Sequence, residues 1–283
     1  MKTFNLSRIF RLIMYYFISN NKTVKILLII ILPEFCVANN KYNAMLYGDG
    51  RHDDTEAIQS LLDSKTSHVK LPIPKCKYII SKPLKIYSNQ ELLLDRYTTI
   101  YLADSSNCNM LKSADSLNVN ISIRGGIWDC NNKGQLPNPL FIKHSKSPDF
   151  DGIGMYFKNL IHFTISDLTI KDPSSFAITI DKASYFSVIN IDFDFNYGNT
   201  WAINMDGIHL NGNCHFGEIS NIQGACYDDM IALNTEEGSK GPISDITIRG
   251  LYAKDCHSAV RLMACSYSLT NVVIENVFGT YYQ

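Results

Sequence analysis

Ile165-Ser166-Asp167-Leu168, Val188-Ile189-Asn190-Ile191, Ile219-Ser220-Asn221-Ile222, Ile248-Arg249-Gly250-Leu251 and Ile274-Glu275-Asn276-Val277 share one pattern: an apolar residue, a variable one, then Asn, Asp or Gly, then apolar again. They recur at intervals of 23, 31, 29 and 26 residues. An irregular period of this size suits a solenoid whose turns hold their strands in register and differ in length at a corner. A second short strand recurs between them, as Ile178-Thr179-Ile180, Ile208-His209-Leu210, Ile231-Ala232-Leu233 and Val260-Arg261-Leu262, at intervals of 30, 23 and 29. Apolar residues alternate with others in each, which gives coils an apolar interior and a decorated outside. Asn, Asp or Gly at one fixed point of every coil marks a tight corner, because these residues tolerate positive φ.

The fold expected is therefore all-β, a right-handed parallel β-helix, with one helical exception near its start. In Asp53-Asp54-Thr55-Glu56-Ala57-Ile58-Gln59-Ser60-Leu61-Leu62, Asp53 can cap while Glu56 reaches back, and Ile58, Leu61 and Leu62 share a face. Such a short amphipathic α-helix closes the open apolar end of a solenoid. With 46% hydrophobic and 19% charged residues the chain can bury a core, and a net charge of −1 lacks the basic footprint of a nucleic-acid partner. Residues 1–38 read separately, as a targeting segment: Lys22 and Lys25 precede the apolar run Ile26 to Leu32, and Cys36-Val37-Ala38 offers a cleavage point. A mis-assigned start or a membrane tether are the other readings of that leader; a secreted or periplasmic monomer without stable membrane insertion is the expectation. The eight cysteines show no CxxC spacing and so no structural zinc site. They read as small buried apolar residues, with a disulfide or two left open.

Gly48-Asp49-Gly50-Arg51-His52-Asp53-Asp54-Thr55-Glu56-Ala57-Ile58-Gln59 resembles the entry motif of the pectate-lyase-like β-helix superfamily. Within it, Asn204-Met205-Asp206-Gly207-Ile208 is similar to the Asn-Thr-Asp-Gly-Ile motif of the polygalacturonase-type glycoside hydrolases (family 28 type), and Asp228-Asp229-Met230-Ile231-Ala232-Leu233 to their Asp-Asp-Cys-Ile-Ala-Ile. The resemblance runs from about residue 43 to the C-terminus, the span expected to form a single β-helix domain. It implies hydrolysis of a pectin-like, uronate-containing polysaccharide with inversion of configuration and without a cofactor or metal. Asp228 would be the general acid, Asp206 and Asp229 would activate water, and Asn204 would border the substrate. His257 stands near the family's Gly-His-Gly histidine, although Cys256 and Ser258 flank it and it falls one residue early. Arg261 resembles the first residue of an Arg-Ile-Lys element that binds a substrate carboxylate, but Met263 occupies the Lys position.

The residues carry an argument of their own. Ile208 and Ile231 share a register, so Asp206 and Asp229 should lie nearly one above the other at the ~4.8 Å spacing of stacked strands, with Asp228 as a third carboxylate. Like charges this close raise the pKa of at least one, giving the mixture of protonated acid and ionised base that glycoside hydrolysis needs. Strict alternation would turn Asp206 inward, so the strand is expected to begin after a bend at Gly207. Against a site stands the plainer reading of Asp206-Gly207 as a turn, of Asp228-Asp229 as a solvated corner and of His257 as a corner histidine. His209 shares the outward register with Arg261, so both are candidates to touch sugar, with an ordinary surface position the alternative for His209. Trp128 and Trp201 are either sugar platforms or core residues. A polysaccharide lyase and a non-catalytic, tailspike-like carbohydrate-binding β-helix are the other functions in view. One more period after Arg261 would reach position 287, past Gln283, so a truncated last coil is also expected.

Overall fold

A computed structural model describes residues 17–19, 22–24, 45–137, 151–196 and 204–282. The chain divides into two compact units, Met1–Asn40 and Lys41–Gln283. In the first, the described residues form an antiparallel pair, Phe17–Ser19 with Lys22–Val24. The expected leader otherwise lies outside the described residues, as do Cys36 and Trp201. Among the described residues no helix is long and apolar enough to cross a membrane.

The second unit is a right-handed parallel β-helix. Each complete coil carries three facets rather than the two visible in the sequence. On facet A, Leu84, Leu111, Met155, Ile178, Ile208, Ile231 and Val260 lie in register on successive coils. On facet B the same holds for Val69, Leu92, Ile123, Ile165, Val188, Ile219, Ile248 and Ile274. Facet C stacks Tyr78, Ile100, Trp128, Ile170 and Phe193. The recurring motif thus reports true vertical neighbours: Ile165, Val188, Ile219 and Ile248 are fully buried against one another. Trp128 is also fully buried, with its Nε1 donating to the Gly125 carbonyl at 3.2 Å, so it is a core residue and not a sugar platform.

Corners are made by single residues in the left-handed region. Asp167, Asn190, Asn221, Gly250 and Asn276 have φ of 57°, 57°, 54°, 69° and 59°, at the positions where the motif places Asn, Asp or Gly. Their side chains also stack: Asn221 donates to Asn190 Oδ1 at 3.1 Å, and Asn190 donates to Asp167 Oδ1 at 2.7 Å. A second corner puts His162, Tyr185 and Phe216 at φ of 57°, 58° and 56°. Their rings lie face to face along the axis, 5.2 and 5.0 Å apart. Positive φ is costly for such side chains, and stacking at the coil spacing offsets part of the cost.

The helix spans Thr55–Asp63 and buries Ala57, Ile58 and Leu62 at the first coils. Gln90, itself buried, donates to the Leu62 carbonyl at 2.9 Å and ties the helix end to the coil beneath. The expected capping box does not form. Asp54, not Asp53, is the N-cap residue, and its carboxylate accepts from the backbone N–H of Tyr47 (2.6 Å) and of Gly48 (3.2 Å). Asp53 accepts from Thr55 N–H at 2.8 Å, and Glu56 turns outward to Lys82 at 2.8 Å. At the last coil, Ile274, Val277 and Phe278 are exposed.

The corner ladder makes a separable prediction. Asn190→Ala should lower stability by about 2 kcal/mol, because it loses two amide hydrogen bonds and places Cβ-bearing alanine at positive φ. Asn190→Gly loses only the bonds and should cost about half as much, read from urea midpoints. Equal losses for the two variants would remove backbone strain from the account.

Candidate active site

The segments that end facet C and begin facet A bring the sequence candidates together at one corner. Gly207 N–H donates to the Asp229 carbonyl at 2.9 Å, and Asp229 N–H donates to Asp206 Oδ1 at 3.2 Å. Asp206 and Asp229 are therefore neighbours across one coil step, as their register implies. The bend at Gly207 is needed because a Cβ there would lie 2.4 Å from the Phe193 ring and 2.5 Å from the Met230 carbonyl. Asp206, just before this glycine, lines a small cavity.

Asp206 and Asp229 are each only 3% exposed. Burial raises the Asp206 pKa, and the hydrogen bond to His209 pulls it part of the way back. Asp229 accepts from the Ser258 hydroxyl and lies 3.5 Å from the Arg261 guanidinium. Asp228 is less enclosed and lies 3.2 Å from His257 Nδ1. Burial first, and the adjoining Asp206 and Asp229 carboxylates second, carry its pKa up to about 6. His257 N–H donates to the Asp228 carbonyl at 2.9 Å, which holds these two segments together through the backbone as well. Asp228, Asp229 and His257 bring three donor atoms within 4.8 Å of one another. Two carboxylates and an imidazole are a donor set for a transition metal such as zinc or manganese, not the oxygen-rich cage calcium prefers.

His209 is the largest departure from expectation. It is 3% exposed, so it is neither a surface residue nor free to reach far toward a sugar. Its Nδ1 is 2.7 Å from Asp206 Oδ2 and its Nε2 is 3.0 Å from Glu237 Oε2, while its ring stacks on Phe176 at 4.1 Å. Burial alone would lower the imidazole pKa, but hydrogen bonds to Asp206 and Glu237 override it and carry the pKa up to about 9. The site thus contains a buried imidazolium between two carboxylates. Glu237, held ionised chiefly by its hydrogen bond to His209, was missed in the sequence because it lies in the turn after the Asp229–Asn234 strand, outside every repeat. Asn204, at φ 64°, lines the same small cavity of about 90 Å³ together with Phe176, Asp206, His209, Asp229 and Arg261.

This fold and this corner define a β-helix of the pectate-lyase-like type. Residues 42–280 match the family described as rhamnogalacturonase A/epimerase, pectate lyase-like, and the chain belongs to that family. No curated protein sequence matches it significantly. Among solved structures it is similar to the family 28 exopolygalacturonase of Yersinia enterocolitica, with 16% identity and a TM-score of 0.63 over 77% of this chain and 49% of that one. An exopolygalacturonase of Thermotoga maritima aligns with 18% identity and a TM-score of 0.65 over 81% of this chain and 63% of that one. The Erwinia carotovora polygalacturonase aligns with 16% identity and a TM-score of 0.62, over 82% and 78% of the two chains. The chain thus spans about half of the Yersinia enzyme and less than two thirds of the Thermotoga one. At these identities the likeness is one of fold.

The imidazolium carries a stability prediction whose sign is fixed by linkage. A folded-state pKa near 9 against an ordinary 6.5 contributes stability that is fully present below pH 6.5 and is lost as pH rises through 9. That interval corresponds to about 3 kcal/mol. His209→Gln should lower stability by about 3 kcal/mol at pH 6, by leaving Asp206 buried without its cation. The gap between wild type and variant should close between pH 6.5 and 9 in urea unfolding. A gap independent of pH would mean that His209 is neutral and only packs.

Proposed function

We propose that this chain hydrolyses glycosidic bonds in a pectin-like, uronate-containing polysaccharide with inversion at the anomeric carbon. The observation that carries this reading is the division of labour among three carboxylates at one corner. Asp228, with its pKa raised to about 6, retains a proton in mildly acidic solution and can donate it to the leaving glycosidic oxygen. Asp206 and Asp229 are each met by donors, His209 and the Asp229 N–H for the first, Ser258 and Arg261 for the second. These donors orient the two carboxylates at the corner, where one of them would take the proton of the attacking water.

Arg261 is half-exposed above Asp229, where its planar cation suits a sugar carboxylate. His257, beside Asp228, is placed to contact the leaving sugar, and Asn204 borders the cavity beneath. A uronate polymer is met outside the cell or in the periplasm, which agrees with reading the N-terminal segment as a targeting leader.

The direct test is to incubate the protein with pectic fragments while following reducing ends and unsaturated products separately. Reducing ends without unsaturated sugars are expected. Unsaturated ends would mean elimination, and binding with neither product would mean a non-catalytic carbohydrate-binding role. Asp228→Asn should lower kcat by roughly 10²–10⁴-fold with little change in substrate binding, since an amide donates no catalytic proton. Wild-type activity should fall as pH rises through about 6, where Asp228 ionises. Asp228→Asn should lack that alkaline limb in its residual rate.

A further inference from the structure

Two buried thiols beside this corner are unused by the proposed chemistry. Cys226 and Cys256 are both fully enclosed, and their sulfurs are 3.1 Å apart on successive coils. They are not at matched positions of the ladder. Gly224 pairs with Ala253, so strict register would set Cys226 beside Asp255. The Cys256 strand also departs from register against the last coil, between Ala253 and Cys256. Matched neighbours in a parallel sheet keep their Cβ atoms about 4.8 Å apart, wider than the roughly 3.5–4.5 Å of a disulfide. The two sulfurs converge just beyond the last matched pair of these two strands. Cys214 provides a contrast: it is equally buried, but its sulfur rests against the Ile180 carbonyl at 3.6 Å.

We infer that Cys226 and Cys256 are the site of an inter-coil disulfide, a covalent link between the segment that leads into Asp228 and the one that leads into His257. Closing it requires the sulfurs to approach from 3.1 Å to about 2.0 Å, a rotation about side-chain bonds and not a change of coil. The step is thiol–disulfide exchange with a small-molecule disulfide. During folding, before the two sulfurs are enclosed, one protein thiolate attacks the reagent and releases one reduced thiol. The second protein thiolate then attacks the mixed disulfide and releases another, so two protein thiols lose two protons and two electrons while one reagent disulfide becomes two thiols. The Cys226 S–H donates to the Cys256 sulfur.

The link has a consequence for the corner. Cys226 precedes Asp228 by two residues and Cys256 immediately precedes His257. The bond would fix covalently the spacing of those two segments, which hydrogen bonds and ion pairs now hold. It would also close a loop of about thirty residues in the unfolded chain, a restriction that raises stability. The inference concerns the fold and holds whether or not the chain cuts a polysaccharide.

The test compares the full chain refolded with a reduced/oxidised glutathione couple against the chain refolded with reductant alone. Both are alkylated under denaturing, non-reducing conditions and digested with proteases cutting at Glu218, Lys254 and Arg261, which separates Cys226 from Cys214 and isolates Cys256. The expected result is a single cross-linked pair joining Cys226 to Cys256, two fewer alkylated thiols, and Cys214 still alkylated. The melting temperature of the oxidised sample should exceed that of the reduced one by roughly 5–10 °C. The Cys226→Ser/Cys256→Ser double variant should show no such difference. Full alkylation of Cys226 and Cys256 in the oxidised sample, or their pairing with other cysteines, overturns the inference. Should refolding fail, the same map is made on protein exported to a bacterial periplasm, with the same two outcomes.

Discussion

Everything in this molecule follows from one geometric constraint: each coil sits on the last in register, at the ~4.8 Å spacing of hydrogen-bonded parallel strands. Inside, the constraint is favourable, because Ile165, Val188, Ile219 and Ile248 meet like with like and exclude water. Outside, it forces similar groups together whether or not they attract. Asn190 and Asn221 turn that proximity into an amide ladder. Asp206 and Asp229 carry no amide to pair in this way, and the structure supplies a donor for each. The electrostatics of the corner are thus imposed by the fold before any substrate arrives.

The distribution of charge there has an internal logic. Asp206 and Glu237 share the buried imidazolium of His209, with Phe176 covering its face. Asp229 has Ser258 and Arg261. Asp228 lies 3.2 Å from His257, with two carboxylates beside it, and its pKa is carried up to about 6. A raised pKa at Asp228 is what the acid role implied by the Asp-Asp resemblance would need of this residue.

What the sequence disclosed and what it hid have the same cause. The spacing from Ile165 through Ile274 predicts neighbours that the strand pairing reproduces one for one, because apolar stacking leaves a periodic trace. Asp167, Asn190 and Asn221 were readable as corners because their side chains tolerate positive φ. His162, Tyr185 and Phe216 were not, since aromatic residues are poor candidates for that backbone and only their mutual stacking makes the corner tenable. His209 sat in an outward register and read as surface. Its burial depends on Glu237 and Phe176, which come from a turn and a loop that carry no repeat. The expected cap failed for a related reason: the Asp53 carboxylate accepts from Thr55 and Ser81 and Glu56 pairs with Lys82, contacts the capping pattern does not encode.

The irregularity of the repeat is itself informative. Facets cannot change length without breaking their stacks, so differences among the 23-, 31-, 29- and 26-residue periods must be absorbed at corners. The 31-residue period lengthens between Asp194 and Ile208, and the 29-residue period lengthens between Asn234 and Ile243. The first stretch supplies Asn204 and Asp206, and the second supplies Glu237. Asn204 and Glu237 lie outside the strand ladders, so neither must match a side chain one coil above and below. A position free of that rule can hold a carboxylate against an imidazolium or line a cavity at little cost to the core. In a solenoid, then, departures from periodicity mark where chemistry can be accommodated, and here these two stretches line one cavity.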